Sequence, residues 1–342
     1  MLAIRPRALG DVVLVTPALR ALHRGYPDAP LEVVTEPRYA PLLEGLPGVG
    51  RVWGLERTFA GTLGLARALR ARRYALAVDF FGNPRSAFLA RASGARRRAG
   101  YDLRGRARTY HVRVPRTLSP APGRREYAAA THVRLAVAAG GISDGVATRV
   151  SVKPEARAEA ARLLAGCALA AGEGIGLVAA GTWPAKTWPA ASVALLARGL
   201  MRSGRRVLLV AGPGEERLGA TLATLAPGLA VLPPCDVAVL AGVIAQLAAV
   251  VGTDSGPRHL AAALDVPTFA WHGPTHPDTW TPPGGAHGAW WTSLPCRGCD
   301  RTSCPHWSCL PELSPERATA LVLDHLERHG RTAAAVGPAA GA

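Results

Sequence analysis

The feature that most constrains the fold is the segment 249–264, where an apolar run meets a turn-forming corner and then a helical stretch. The run is too short for a helix and suits a buried strand. Pro257 fits a first helical turn, which Ser255 or Gly256 can cap. Backbone N–H groups at a helix start attract anions, so the corner around Asp254 predicts a binding site. The same residues also suit an ordinary turn, so this segment alone leaves both interpretations open.

The order of strand, turn and helix recurs along the chain and predicts an α/β protein with mainly parallel sheets. Pro17 leaves open whether a helix over 12–22 starts near Thr16 or has a bent first turn. After a loop at 140–152 the pattern starts again, which indicates two similar halves. The predicted strands lie at 2–5, 31–35, 74–80, 174–180, 206–211, 249–253 and 267–271, and the predicted helices at 64–73, 127–139, 155–165, 190–203, 237–247 and 314–328.

The composition indicates a globular protein with an affinity for phosphate groups. The 342 residues suffice for two domains, and a 49% hydrophobic content excludes a disordered chain. The net charge of +16 comes almost wholly from arginine, which attracts nucleic acid, nucleotides or anionic lipid. The basic run at 91–108 is either a solvated loop or a surface for an anionic acceptor or membrane.

Neither a signal peptide nor an apolar run of membrane-spanning length is visible in the sequence. We therefore expect a cytoplasmic protein, with peripheral association at the inner face of the cytoplasmic membrane compatible with its charge.

Three polar loops follow predicted strands, where ligands of open parallel sheets bind. Asp11 follows the first strand, Lys186 follows the first strand of the second half, and Asp254 follows a later strand of that half. If the two halves face each other, Asp11 lies across a cleft from Lys186 and Asp254. Lys186 is one of only two lysines in a chain rich in arginine, which indicates that this position requires a compact point charge.

Four motifs, taken in order, resemble glycosyltransferase family 9, which contains the ADP-heptose:lipopolysaccharide heptosyltransferases. The motifs are Leu9-Gly10-Asp11-Val12-Val13 with Thr16-Pro17-Ala18-Leu19, then Lys186-Thr187-Trp188-Pro189, then the segment 254–263, and then Gly273-Pro274-Thr275. The resemblance runs from Met1 to about Arg328. It implies a GT-B architecture, in which two Rossmann-like doubly wound domains face each other across a cleft. The implied parts are an acceptor-binding domain at 1–160, a nucleotide-sugar-binding domain at 161–313, and a C-terminal helix at 314–330 that packs back on the first domain. The remaining segment at 331–342 is rich in Ala and Gly, which predicts a disordered tail.

The resemblance also implies an inverting transfer of a heptose from ADP-heptose to a hydroxyl of a lipid-linked oligosaccharide, with no cofactor required for catalysis. Asp11 matches the general base proposed for the family. The chemistry agrees, because a single displacement needs one carboxylate to accept the proton of the attacking hydroxyl. The other interpretation of Asp11 is a helix N-cap.

The donor side, by the same resemblance, lies in loops of the second half. Lys186 matches a phosphate-binding lysine, and a fixed cation stabilises a leaving diphosphate as its charge grows. Asp254 matches the residue that hydrogen-bonds the donor sugar. For His259, bracing of the loop is an equally open role. The other matches to donor- or phosphate-binding positions are Thr187, Ser255, Gly256 and His259. Gly212 and Glu215 match, more weakly, the loop near the nucleoside.

Four cysteines, Cys296, Cys299, Cys304 and Cys309, lie within one short loop rich in Pro and Gly. Clustered cysteines in a reducing compartment suggest a structural zinc or iron–sulfur centre, and free or redox-paired thiols are the alternative. A catalytic role for these thiols is not expected.

Two other functions remain open from the sequence. The same fold can use another nucleotide sugar, or a protein or polymer acceptor. A remoter alternative is a nucleic-acid-binding protein with a cysteine–metal module. The spread of basic residues over both halves and the lack of an aromatic-rich binding strand argue against that alternative, so we expect no nucleic-acid partner.

Overall fold

The computed structural model describes residues 1–332 and divides the chain into two units, Met1–Ser151 and Val152–Ala342. The boundary lies a few residues before the predicted one at 160, because helix Pro154–Gly166 packs within the second unit. Gly242 permits this contact, since a Cβ atom there would lie 2.6 Å from the carbonyl oxygen of Ala156. Of the predicted disordered tail, residues 333–342 lie outside the described part of the chain.

The first unit is built on a six-stranded parallel sheet with the strand order β3-β2-β1-β4-β5-β6. This is a doubly wound Rossmann order, which reverses between β1 and β4. Its strands are β1 (Leu2–Ile4), β2 (Leu31–Thr35), β3 (Val49–Gly54), β4 (Leu76–Asp79), β5 (Arg97–Tyr101) and β6 (Val112–Val114). Its helices are α1 (Leu9–Leu14), α2 (Thr16–Gly25), α3 (Phe59–Ala71), α4 (Pro84–Ala92) and α5 (Ala128–Ala138), with 3-10 turns at Pro37–Leu42 and Ala107–Thr109.

The second unit repeats this plan with the strand order β12-β11-β10-β7-β8-β9, again all parallel. Its strands are β7 (Gly174–Val178), β8 (Arg206–Leu209), β9 (Ala230–Val231), β10 (Ala249–Thr253), β11 (Thr268–His272) and β12 (His287–Trp291). Its helices are α6 (Pro154–Gly166), α7 (Ala190–Arg202), α8 (Glu216–Leu225), α9 (Val237–Ala245), α10 (Gly256–Ala263), α11 (Pro277–Trp280) and α12 (Pro315–His329), with a 3-10 turn at Pro184–Lys186. The predicted fold, two doubly wound α/β domains, is confirmed.

Pro17 separates two helices instead of bending one. It lies in the first turn of α2, where its missing N–H costs no hydrogen bond, and α1 ends just before it at Leu14. The hydroxyl of Thr16 donates to the carbonyl oxygen of Val13 at 2.8 Å. The first of the two sequence-based options, a helix that starts at Thr16, is therefore right for this segment.

The last helix, α12, belongs to the core of the second unit. Its buried face carries Ala318, Val322 and Leu326, which pack with strands and helices of that unit. Gly199 on α7 lets the two helices approach, because its missing side chain leaves room for Thr319. The apolar face of this helix therefore packs within the second unit, and the packing of the helix against the first domain stays a prediction.

Within residues 1–332, no helix combines the length and the apolar character needed to cross a membrane.

Candidate active site

The first candidate centre begins with Arg5, directly after the central strand β1. Its side chain is only 1% exposed, and its Nη1 donates to the carbonyl oxygen of Phe80 at 2.5 Å. The guanidinium lies 5.1 Å from the centroid of the Phe81 ring and forms an ion pair with Asp11. Sequence reasoning missed Arg5, because an arginine that ends a strand gives no sign that it will be buried.

Asp11 lies in the first turn of α1, where the loop after β1 ends. One carboxylate oxygen pairs with Arg5, and the other accepts a hydrogen bond from the backbone N–H of Ala8 at 3.2 Å. The N-cap of α1 is Ala8 and not Asp11, so the N-cap interpretation is wrong, although Asp11 stabilises the helix start from the third helical position through this hydrogen bond. Its side chain is nevertheless 30% exposed, so a substrate hydroxyl can reach the carboxylate.

A second carboxylate, Asp79, ends the neighbouring strand β4 and is fully buried. It accepts hydrogen bonds from the backbone N–H groups of Phe81 and Gly82 and from the hydroxyls of Ser86 and Tyr110, at 2.6 to 3.0 Å. Burial raises the pKa of Asp79, and these donors oppose the rise. All its contacts are internal, so Asp79 fixes the loop after β4 and is no candidate for catalysis.

The second candidate centre forms where the strand order of the second unit reverses, between β7 and β10. Lys186, on the loop after β7, places its Nζ 2.8 Å from Oδ2 of Asp254, directly after β10. The hydroxyl of Thr253 also donates to the carbonyl oxygen of Lys186, which ties the two loops together. The Nζ lies 5.4 Å from the centroid of the Trp183 ring. The structure thus brings together two residues that the sequence singled out separately.

Asp254 is only 1% exposed and nevertheless ionised. Burial alone raises the pKa of this carboxyl, but the charge of Lys186, with a smaller contribution from Arg258, outweighs it and holds the pKa below its usual range. Nε2 of His259 lies 3.8 Å from Oδ1 of Asp254. A fixed negative charge therefore sits at the start of helix α10.

Two buried oxygens beside this pair lack hydrogen-bond partners among the described residues: Oδ1 of Asp254 and Oγ of Ser255. Ser255 is the residue before α10, yet its side chain does not cap the helix. A buried polar atom without a partner costs about 1–3 kcal/mol. Unused acceptors next to a helix start are typical of a site that binds a polar ligand.

Arg258, on α10, braces this corner from inside the unit. Its guanidinium is buried and lies 3.2 Å from Nε2 of His272 and 3.1 Å from the carbonyl oxygen of Gly288, to which it donates. Burial lowers the pKa of His272 to about 3, so this ring is neutral. Arg258 therefore holds α10 against β11 and β12.

Comparison with known proteins identifies the protein family of this chain. The family model of glycosyltransferase family 9 (heptosyltransferase) matches residues 62–308, more than half of the chain. The chain belongs to glycosyltransferase family 9. It is therefore a glycosyltransferase, which decides against the nucleic-acid-binding alternative.

Individual members of the family show how far the similarity extends. Lipopolysaccharide heptosyltransferase 1 of Pseudomonas aeruginosa is 39% identical, over 36% of this chain and 36% of its own length. Lipopolysaccharide heptosyltransferase 3 of Escherichia coli is 26% identical over 80% of this chain and 83% of its own length. The solved structure of E. coli ADP-heptose LPS heptosyltransferase II superposes with a TM-score of 0.78 at 22% identity, covering 96% of this chain and 98% of that one. This likeness confirms the predicted GT-B fold.

The other predicted donor residues of this glycosyltransferase form hydrogen bonds within their own loops. Oγ1 of Thr187 accepts from the backbone N–H of Gly181 at 3.4 Å, and so shapes the loop that carries Lys186. Gly212 donates its N–H to Oε2 of Glu215 at 2.9 Å, within a separate turn after β8. The structure therefore gives Thr187 a positioning contact, and the binding roles of Gly212 and Glu215 stay predictions.

The four clustered cysteines do not form a metal site in this arrangement. All four are free; Cys296 and Cys299 are exposed, and Cys304 and Cys309 are partly buried. Over residues 1–332, no group of three or more His, Cys, Asp or Glu side chains is arranged to hold a metal ion. Sγ of Cys304 instead accepts from the backbone N–H of Trp307 at 3.3 Å. The predicted zinc or iron–sulfur centre is not supported, because sequence spacing alone does not orient the thiols toward one point.

Proposed function

We propose that this glycosyltransferase moves a heptose from ADP-heptose to a hydroxyl of the lipopolysaccharide core or a related envelope glycan, with inversion at the sugar carbon. Family membership and the names of the similar proteins support the donor and the acceptor. The observation that carries the proposal is the buried Lys186–Asp254 pair, with two unsatisfied oxygens beside it at the start of α10.

The donor diphosphate suits the cationic part of this centre. Lys186 has three N–H donors and uses one of them for Asp254, so the others can bind phosphate oxygens. The backbone N–H groups of Ser255 and Gly256, where α10 begins, supply further donors for the diphosphate. When the bond between C1 and the phosphate oxygen breaks, its electron pair remains on the leaving ADP. A fixed cation stabilises that charge more in the transition state than in the ground state.

The donor sugar suits the acidic part. A carboxylate repels phosphate, but Oδ1 of Asp254 can accept a hydrogen bond from a sugar hydroxyl. The hydroxyl of Ser255 can accept such a bond or donate one. Nε2 of His259, 3.8 Å from Asp254, keeps this carboxylate in place, which favours the bracing role for His259.

Asp11 is the proposed general base. As the acceptor oxygen attacks C1, its proton passes to the Asp11 carboxylate, and the oxygen forms the new glycosidic bond. Arg5 and the N–H of Ala8 each engage one carboxylate oxygen, which fixes the orientation of the base. Each oxygen keeps a further lone pair for the proton. No metal or other cofactor is invoked in these steps. The lipid-linked acceptor also places the enzyme, in this proposal, in the cytoplasm at the inner membrane face.

The test is incubation of the protein with ADP-heptose and a lipid acceptor that carries a truncated core, followed by mass measurement of the product. We expect the acceptor mass to rise by one heptose unit. Consumption of a UDP- or GDP-sugar in parallel assays, with ADP-heptose left intact, would contradict the proposed donor.

Two variants separate the proposed roles. Asp11→Asn should keep ADP affinity while transfer falls about 10²–10⁴-fold, because the amide cannot accept the proton but can still bind Arg5. Lys186→Ala should weaken both ADP binding, measured by calorimetry, and transfer. Lys153→Ala removes the other lysine, which is exposed and outside the site, and should change neither. Wild-type activity in Asp11→Asn would refute the base assignment.

A further inference from the structure

A groove lined by arginines crosses the first unit at the edge of the sheet where β4 and β5 begin. One part, of about 550 Å³, lies between Arg70, Arg73 and Arg96. The adjoining part, of about 440 Å³, lies between Arg70, Phe88, Arg91 and Arg98. Arg70 and Gly94 line both parts, so they are continuous. We call the surface formed by Arg70, Arg73, Phe88, Arg91, Arg96 and Arg98 the arginine groove.

The arginine groove is distinct from the proposed transfer site. Asp11 follows the carboxyl end of β1, whereas the groove lies beside residues that precede β4 and β5. Since β1, β4 and β5 run parallel, these are opposite edges of one sheet. The groove therefore contributes nothing to the proton transfer proposed for Asp11.

The cations of the groove lack compensating charges. No acidic residue lines it, and Arg70, Arg73, Arg91 and Arg96 form neither an ion pair nor a side-chain hydrogen bond within residues 1–332. Many other arginines of the first unit are paired with carboxylates, namely Arg5, Arg20, Arg38, Arg57, Arg72, Arg113 and Arg134. The high arginine content explains why the first unit has many arginines. It does not explain why the arginines without a carboxylate partner converge in one groove.

Helix dipoles explain only part of this placement. Arg70 and Arg91 lie in the last turns of α3 and α4, where a cation is favourable. Arg73 and Arg96 lie in the connections beyond those helices. Arg73 adopts a φ of 53°, a left-handed conformation that glycine takes at lower cost. The chain thus carries an arginine at a position that favours glycine.

Phe88 indicates what kind of anion the groove meets. It lies one helical turn before Arg91 on α4 and is 44% exposed. An exposed aromatic ring beside unpaired arginines matches an amphiphilic anion, in which a phosphate group adjoins an acyl chain. A soluble phosphate would leave the ring without a partner. We propose that the arginine groove docks this enzyme onto an anionic phospholipid surface, with the arginines at the headgroup phosphates and Phe88 at the acyl boundary. This docking stands independently of which sugar is transferred.

The magnitude of the effect follows from surface electrostatics. A basic residue near an anionic membrane changes the partition coefficient about fivefold, so two of them change it about thirtyfold. The attraction decays within roughly 8–10 Å at moderate salt. Only arginines that lie against the surface should therefore contribute.

The experiment is co-sedimentation of the full chain with vesicles of phosphatidylcholine alone or mixed with phosphatidylglycerol. The wild type should bind only the mixed vesicles. Arg70→Ser/Arg96→Ser should bind them about thirtyfold more weakly. The matched control, Arg202→Ser/Arg217→Ser, removes the same charge from exposed positions of the second unit and should change binding less than about twofold. Phe88→Ser should weaken the binding that remains at high salt.

Three results would overturn the docking proposal: no binding of the wild type to mixed vesicles, equal losses in the two double variants, or calorimetric binding of inorganic phosphate that Arg70→Ser/Arg96→Ser abolishes while vesicle binding persists. Thermal unfolding of each variant accompanies the assay. Because the side chains of Arg70 and Arg96 form no ion pair or hydrogen bond in the described chain, we expect melting temperatures to fall only slightly, by the small helix-end contribution of Arg70. Activity on a detergent-dispersed acceptor should stay at the wild-type level.

Discussion

At the scale of single residues, each of the two candidate centres depends on an ion pair with at least one buried member. Arg5 follows the central strand β1 and pairs with Asp11 in the first turn of α1, and Asp254 follows β10 and pairs with Lys186 on the loop after β7. Removing one partner of a buried pair leaves an uncompensated charge, which costs more than the pair itself contributes. These residues therefore affect stability as well as chemistry.

Asp254→Asn tests, in the second unit, how much stability is lost when one partner of a buried ion pair is removed. Because Lys186 is only 11% exposed and would lose its counter-charge, we expect the free energy of unfolding to fall by about 3 kcal/mol at neutral pH. The pKa of Asp254 is lowered in the folded protein, so its contribution is present above the unfolded value near 4 and is lost as the pH falls below it. The difference between variant and wild type should therefore persist at pH 5 and shrink only in stronger acid.

Urea denaturation at several pH values measures that difference. Asp324→Asn is the matched control, because Asp324 pairs with Arg328 at an exposed position and should contribute less than about 1 kcal/mol. Equal losses in the two variants would show that the burial of the Lys186–Asp254 pair does not matter.

At the scale of helices and strands, the long periodic elements were predictable and the short edge elements were not. The predicted strands at 174–180 and 249–253 match β7 and β10 closely, because fully buried strands read as apolar runs. β9 has only two residues, and β3 has no buried residue, so neither gives a clear hydrophobic pattern. β5 was hidden inside the basic run at 91–108, since its first residues are arginines.

The same limit applies to the site. The turn that carries Asp254 was predictable from local chemistry, because strand, acidic corner and Pro-initiated helix follow each other directly. The contact of Asp254 with Lys186 spans 68 residues, and that of Arg5 with Phe80 spans 75. Such pairs depend on which strands become neighbours, and a single sequence does not reveal that order. The resemblance to a known family supplied part of this information.

Gly252, in β10, links strand packing to the position of Asp254. Its φ is 146°, and a Cβ atom there would lie 2.2 Å from the carbonyl oxygen of Val178 on β7. Gly252→Ala must separate the two central strands, so we expect a loss of at least about 3 kcal/mol in the free energy of unfolding and weaker ADP binding. Chemical denaturation and calorimetry measure the two effects.

Gly64→Ala serves as the control for that substitution. Gly64 lies inside α3, and the methyl group that alanine adds there would meet no neighbouring atom within 4 Å. Alanine should therefore raise the free energy of unfolding by about 0.5–1 kcal/mol. A Gly252→Ala variant as stable as the wild type would mean that β7 and β10 can move apart without cost.

At the scale of the whole molecule, the basic side chains behind the net charge of +16 lie in different surroundings. Some form ion pairs with carboxylates, some are buried against backbone carbonyl groups, as Arg258 is, and some line the arginine groove. The two units also contain buried histidines that stay neutral, because burial disfavours the charged form of the ring. His132 lies in the first unit, and His272 and His325 lie in the second.

These three histidines predict that the protein loses stability in mild acid. Burial lowers the pKa of His132 well below its usual value, that of His272 to about 3 and that of His325 to about 4. In the unfolded chain each titrates near 6.5, so between pH 6.5 and about 4 the unfolded state binds more protons than the folded state. The free energy of unfolding should therefore fall as the pH falls, by up to about 1.4 kcal/mol per pH unit for each histidine.

His325→Gln and His306→Gln make this prediction specific. His325 is 4% exposed, whereas His306 is exposed. Urea denaturation from pH 7.5 to 4.5 should show a shallower loss of stability for His325→Gln than for the wild type, and an unchanged one for His306→Gln. The difference in slope reports one proton fewer taken up on unfolding, so parallel curves for all three proteins would contradict the neutral, buried state of His325.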